Sequence, residues 1–213
     1  VRHFTIFFLI FILYSCHHEQ KTNPSIVSAH QINDVNKKPV QISLLDSVTT
    51  LFKQNPEFIA KGFDFPVGKP NAKGYYNAQK FGKNYHLGDD WNAVTGGNSD
   101  LGDPIYSIAS GYVHFAENIG GGWGNVIRVW HKTHDNKVIE SLYAHCDTIM
   151  VSSGQFIDKG QQIATIGNAD GIYLAHLHFE IRDDITLPVG QGYSENIDGY
   201  TDPTAFIKAN RKP

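Results

Sequence analysis

The pattern of apolar and polar residues changes character several times along the chain. An apolar run from Phe4 to Tyr14 comes first, followed by the polar, aperiodic stretch "HHEQKTNPSIVSAHQINDVNKKPVQ". In "LLDSVTTLFKQNPEF" apolar residues recur at roughly helical spacing, which predicts a short helix ending before Pro56. Beyond about residue 65 the period shortens. "DPIYSIASGYVHFAEN", "GNVIRVWHK", "KVIESLYAHC", "QQIATIG" and "HLHFEIR" are short runs rich in Ile, Val, Tyr and Phe, separated by Gly, Asn and Asp. Glycine clusters at these breaks, most densely in "TGGN" and "GGGWGN". Apart from a turn at "DPTAFIKANR", no helical stripe is expected after the first helix. The pattern predicts a mainly β domain of antiparallel strands with long loops.

Strand parity makes one of these runs unusual. In "YLAHLHFEIR", His176 and His178 are two residues apart and share a face, while Leu177 and Phe179 point the other way. Two imidazoles side by side on a half-buried strand need partners. "YHLGDDWN" supplies His86 and Asp90 around a glycine turn, and "LYAHC" supplies His145, with Tyr143 expected on the same strand face. Cys146 has the opposite parity and is expected to face the core. A hydrolytic zinc site takes three protein ligands from His, Asp or Glu and leaves one position for water. Two His and one Asp meet that need, and the two remaining histidines can serve proton transfer and oxyanion stabilisation.

The other metal-competent and phosphate-like signals are weaker. His131 and His134 stand at the end of "VIRVWHKTHDN", where a solvated turn is expected, and His114 reads as a strand-face residue. "NIGGGWGNV" lacks the Lys and Ser/Thr of a phosphate loop and reads as a hairpin connection. The insert "NAVTGGNSDLGD" offers Asp100 and Asp103 as candidates for a further ion. The G-x-x-I rhythm around Lys159 is a poor match to a lipoyl- or biotin-carrier hairpin and leaves the histidines unexplained.

Composition narrows the setting. With 213 residues and a net charge of -3, the chain has room for one medium domain and no broad basic surface for nucleic acid. Arg2 and His3 before the apolar run fit a secretory signal, since the run is shorter than the ~20 residues needed to span a bilayer. Leu13, two residues and then Cys16 resemble a bacterial lipobox, which implies lipidation at Cys16. The expected layout is a lipoprotein signal peptide over 1–15, a flexible tether over 16–43, a short helical lead-in over 44–64 and the main domain over 65–213. With Cys16 lipidated, Cys146 has no disulfide partner and the core must hold the domain.

Three motifs in order make the family recognisable. "HLGDD" fits H-x-x-x-D, "YAH" follows, and "HLHFE" fits H-x-H, with "GDPIYSIASGYV", "GWGNVIRVWH" and "KGQQIATIG" between them. From about Phe65 to Asp202 the chain resembles the lysostaphin-like M23 zinc metallopeptidases. The resemblance implies an antiparallel β-sheet core with a second, smaller sheet and a groove above it. It implies zinc held by His86, Asp90 and His178, with His145 and His176 as catalytic histidines. Glu180 receives no ligand role from it and is assigned a supporting one. H-E-x-x-H is absent, so no helical zincin glutamate is expected. The implied substrate is peptidoglycan peptide, reached by an exported, lipid-anchored monomer on the cell envelope. A non-catalytic wall-binding or hydrolase-activating scaffold of the same fold is the alternative.

Overall fold

The computed structural model describes residues 43–212. The expected signal peptide, the lipidation at Cys16 and nearly all of the expected tether therefore lie outside the described residues. The first element is helix α1, Leu44–Gln54. Ser43 caps it by accepting from the Asp46 backbone N–H at 3.1 Å, and Asn55 and Pro56 end it. Val48 and Phe52, one turn apart, are its buried residues, and the Phe52 ring meets Phe156 edge-on at 5.9 Å.

Ten strands follow: β1 Tyr75–Gln79, β2 Asp89–Ala93, β3 Pro104–Tyr106, β4 Gly111–Asn118 and β5 Asn125–Lys132. The rest are β6 Val138–Ile149, β7 Phe156–Ile157, β8 Gln162–Ile166, β9 Leu177–Arg182 and β10 Tyr200–Thr201. Every pairing between them is antiparallel, and the main sheet runs β1-β2-β9-β6-β5-β4-β7. The fold is thus mainly β, as the pattern predicts. The expected second, smaller sheet is not separate: β3 pairs with β8, and β8 joins the far end of β6 beyond Cys146.

Helix α2, Pro203–Asn210, replaces the turn expected at "DPTAFIKANR". Asp202 caps it through the Ala205 N–H, and proline sits at its first position. Its two turns bury only Pro203 and Ile207, too few positions to give a periodic stripe.

The centre of the sheet is buried on both faces. On one face Leu177, Phe179 and Ile181 of β9 pack with Tyr143, Ile127, Val129 and Ile105 in the main apolar core. On the other, His178, Glu180 and Arg182 of β9 lie opposite Ala144, Leu142 and Glu140 of β6. This second face is covered by Trp123 and by the segment around Val189. A buried row of charged side chains is therefore part of the layer that holds the site.

His131 does not lie on a solvated turn. It is the penultimate residue of β5 and fully buried; the turn starts at Thr133, and only His134 is exposed. Its Nδ1–H donates to the Ser110 carbonyl at 3.0 Å, and its Nε2 accepts from the Ser141 hydroxyl at 2.7 Å. Burial pushes its pKa down to about 4, with the Ser110 bond opposing the shift. The imidazole is therefore neutral in the fold, whereas in the unfolded chain it charges below about pH 6.5. Its contribution to stability is complete above that pH and is lost as pH falls toward 4. The difference in unfolding free energy between wild type and His131→Gln, from urea titrations at pH 7, 6 and 5, should shrink by roughly 1.4 kcal/mol per unit across that window. A pH-independent difference would show that His131 is not held neutral.

Candidate metal centre

Strand register does most of the assembly. Asp90 of β2 and His178 of β9 are direct cross-strand partners, as are Ala144 of β6 and His178. His86 reaches the same point from the end of a tight turn, Lys83–Tyr85, in which Asn84 and Tyr85 hold φ of 53° and 65°. It is fixed there by a bridge to Tyr193, while the Leu87 N–H donates to the Gly192 carbonyl at 2.9 Å. Between His86 and Asp90, Gly88 lies so close to β9 that a Cβ would stand 2.5 Å from the Phe179 carbonyl oxygen. The glycine lets the turn press onto β9, bringing His86 and Asp90 to His178.

The result is a triangle of ligand atoms. His178 Nδ1 lies 3.0 Å from Asp90 Oδ1 and 3.0 Å from His86 Nε2, and His86 Nε2 is 3.3 Å from Asp90 Oδ1. All three residues are buried, and they are the one group of three or more such side chains among the described residues whose ligand atoms lie within 4.8 Å of one another. Donors around a tetrahedral zinc with bonds of about 2.0–2.1 Å are spaced by about 3.3 Å.

The hydrogen bonds explain why a cation fits. His178 Nε2–H donates to Glu180 Oε1 at 2.9 Å, so a neutral His178 turns the lone pair of Nδ1 toward Asp90 and His86. With His86 carrying its proton on Nδ1, three electron-pair donors face one another and a metal ion can lie between them; with it on Nε2, that N–H fills the place. Burial opposes charging of His178, but the bonds to Asp90 and Glu180 outweigh it and push its pKa up to about 9. Burial likewise opposes ionisation of Asp90, yet the His178 and His86 bonds hold its carboxyl well below the usual range. His86 Nδ1 is buried without a partner, so only His178 has a carboxylate behind it.

The other two histidines stand beside the triangle. His176 Nδ1–H donates to the Leu174 carbonyl at 2.8 Å, and its Nε2 lies 3.8 Å from Asp90 Oδ1. His145 Nδ1 lies 3.4 Å from the Trp123 carbonyl, and its ring centre is 4.7 Å from that of His176. Burial, then the neighbouring His178 and His176, push the His145 pKa down to about 3, so it is neutral at neutral pH. A groove of about 670 Å³ opens over these side chains, walled by Trp123, Tyr173, Leu174, Gln191 and Tyr193.

Parity alone misplaces His145. It does not share a face with Tyr143: His145 has φ 59°, and between Tyr143 and Cys146 β6 carries an extra residue relative to β5. This bulge turns His145 into the groove and returns Cys146 to the core beside Tyr143, whose hydroxyl accepts from the Ile108 N–H at 3.1 Å. Asp100 and Asp103 are used within their own region, where they accept from the Ala93 N–H and the Tyr75 hydroxyl. The wall over residues 187–193, "LPVGQGY", has no periodicity to announce it; its only signal is a glycine pair next to a tyrosine.

Comparison with known proteins gives the family. The family model for Peptidase family M23 matches residues 85–191, half of the chain, and the chain belongs to that family. It is 42% identical over 81 residues to Lipoprotein NlpD of Yersinia enterocolitica, covering 38% of this chain and 78% of that protein. It is 38% identical over 100 residues to Murein hydrolase activator NlpD of Escherichia coli (strain K12), covering 44% of this chain. The chain spans about a quarter of the length of that relative. Among solved structures, cbpa from L. salivarius REN superposes with a TM-score of 0.52 at 23% identity, covering 70% of this chain and 96% of that one; it shares the fold.

The close approach at Gly88 gives a direct test. Gly88→Ala places a methyl group against the Phe179 carbonyl and the Glu180 side chain, and should lower unfolding free energy by about 1–3 kcal/mol. The urea midpoint should fall with an unchanged slope; an unaltered midpoint would show that β2 does not need this contact.

Proposed function

We propose that the chain is a zinc-dependent endopeptidase that hydrolyses peptide bonds of bacterial cell-wall peptidoglycan. The observation that carries this reading is the triangle of His86, Asp90 and His178 beside two further histidines whose Nδ1 atoms face backbone carbonyls. Zinc at that point supplies Lewis acidity to the scissile carbonyl and a bound water whose pKa falls to about 7. His86, Asp90 and His178 would hold it, with Glu180 fixing the orientation of His178 through Nε2–H.

The remaining steps belong to the free histidines. A peptide lying in the groove would bring its carbonyl beside the triangle and His176. With Nδ1–H directed at Trp123, His145 presents Nε2 as a base, and burial keeps that nitrogen unprotonated at neutral pH. It can accept the proton released as water adds and return it to the leaving amine. His176, with its Nδ1–H on Leu174, is placed to contact the reacting group from the other side. Trp123 and Tyr193 line the groove on its two flanks.

The setting follows from the tail and the relatives. A signal peptide over 1–15, a lipid on Cys16 and a tether over 16–43 would hold the domain over 65–213 at an envelope membrane within reach of the wall. Relatives named as lipoproteins support this placement. A second reading, a non-catalytic activator of another wall hydrolase, is favoured by the relative named as a murein hydrolase activator.

Full chain purified in detergent, stripped of metal and reloaded with zinc, should release soluble fragments from isolated peptidoglycan, and chelation should stop release. His178→Ala should lose zinc, whereas His145→Ala should keep it and lose activity by roughly 10²–10⁴-fold. No fragments under any metal condition, together with stimulation of a separate murein hydrolase, would replace the peptidase reading with the activator. Release indifferent to chelation would remove zinc from the mechanism.

A further inference from the structure

Behind the metal centre a row of buried charges continues away from the groove. Glu180 takes His178 Nε2–H on one oxygen, and its other oxygen receives Arg182 Nε at 2.8 Å and Nη2 at 2.6 Å. Arg182 has no exposed surface, an unusual position for a guanidinium. Its remaining N–H groups are also committed. Nη1 donates to the Pro188 carbonyl at 2.8 Å and lies 3.5 Å from Glu140 Oε1, and Nη2 donates to the Val189 carbonyl at 2.7 Å. Every N–H direction of the fork thus has an acceptor. A neighbouring guanidinium completes the row: Arg128 binds Glu140 Oε1 at 2.9 Å and the Leu187 carbonyl at 2.6 Å.

Three consecutive carbonyls, those of Leu187, Pro188 and Val189, are therefore gripped by two arginines, Arg182 buried and Arg128 partly so. From there the chain becomes the groove wall. The Gly190 carbonyl accepts from Trp123 Nε1–H at 3.1 Å, and Gly192 and Tyr193 close onto Leu87 and His86. The segment 187–193 is a strap across the site, with its first anchor in the charge row and its last beside a ligand of the triangle. Burying so many charges is costly, and a row used only to cover apolar surface would be as stable or more so with aliphatic side chains. The arginine fork has a further property: it binds two different structures at once with fixed geometry.

We propose that Arg182 is a positioning residue that makes the groove wall and the metal ligand His178 one mechanical unit, by dividing its guanidinium between Glu180 and the Pro188–Val189 carbonyls. The proposal rests on the reading of His178 as a zinc ligand. Coupling of this kind is reciprocal: an ion that fixes His178 stiffens the strap, and a strap held in place tightens the site for the ion. Arg128 and Glu180 each hold only one side of the unit. Arg128 anchors the strap without touching Glu180, and Glu180 orients His178 without touching the strap.

The test compares Arg182→Lys, Arg128→Lys and Glu180→Gln in the full chain in detergent. Each is read by zinc affinity in competition with a chelator and by hydrogen exchange of backbone amides between 187 and 193. In wild type, zinc should slow exchange across the strap more than in the β4–β5 hairpin. Arg182→Lys keeps the charge and loses the fork. It should weaken zinc by roughly 10–100-fold, speed strap exchange at least about tenfold and abolish the effect of zinc on that exchange. Arg128→Lys should speed strap exchange with zinc affinity within about twofold of wild type, and Glu180→Gln should do the reverse. On peptidoglycan fragments, KM should rise in both arginine variants.

Zinc binding with a strap that ignores both zinc and Arg182→Lys would overturn the coupling. Faster exchange spread evenly over all amides would do so as well, since that is what general loss of stability produces. Wild type that binds no zinc would instead overturn the metal reading. Should Arg182→Lys fail to fold, the wild-type response of the strap to zinc and the opposite effects of the other two variants still decide.

Discussion

Three electron-pair donors held about 3 Å apart in a buried site repel one another unless something positive lies between them, and this constraint organises the molecule. His86, Asp90 and His178 are brought to that spacing by backbone pairing, so the repulsion cannot be relieved by moving one side chain away. The fold meets the constraint from behind. Glu180 takes the outer N–H of His178, Arg182 neutralises Glu180, and Glu140 faces Arg182, Arg128 and His114 in turn. Positive and negative groups alternate across the sheet, and each has partners that a buried charge requires. The side of β9 that would otherwise be an ordinary apolar face is given over to supporting one nitrogen of one histidine.

Local backbone irregularities do the complementary work at the front. A regular β6 would send His145 into the core with Tyr143. The bulge at His145 instead turns the ring toward His176, and Gly167 makes the bulge possible, because a Cβ there would lie 2.3 Å from the His145 carbonyl oxygen. The left-handed residues Asn84 and Tyr85 perform a similar service for His86. These features lie where the main sheet carries its polar groups, so regular strands supply the frame and strained positions aim the side chains.

Much of this was legible in the sequence, and the limits have physical causes. The main strands are visible because Val, Ile, Tyr and Phe runs end in glycine, and His176 and His178 both reach Asp90 because the bridge of His176 to Gly167 leads directly into β9. Parity fails at Tyr143 and His145 because a bulge adds a residue without marking the sequence. The position of His131 was hidden for a different reason: an imidazole satisfied by Ser110 and Ser141 behaves as a core residue, and nothing in "VWHKTH" reveals those partners. β1, β2, β7 and β10 carry no such run, because the first two are largely polar and the others only two residues long. The strap could not be read at all, since its anchors are backbone carbonyls, which every residue has.

The two readings of the site differ in what they ask of the front histidines. A surface that only binds another protein or the wall could use the triangle as a structural clip, and the charge row behind it would serve that purpose equally well. It would have little use for His145. Burial beside two other histidines disfavours its charged form, and its Nδ1 faces a backbone carbonyl, so Nε2 is left in the groove without a protein partner among the hydrogen bonds described. A side chain selected for adhesion would gain from a satisfied or charged group at that point. A neutral nitrogen with an open lone pair beside a candidate metal site is what proton transfer needs, and His176 likewise turns its Nδ1 to a backbone carbonyl, that of Leu174, from the other side. The open nitrogen of His145 therefore weighs toward the peptidase reading, for which His86, Asp90 and His178 offer a place for a metal ion.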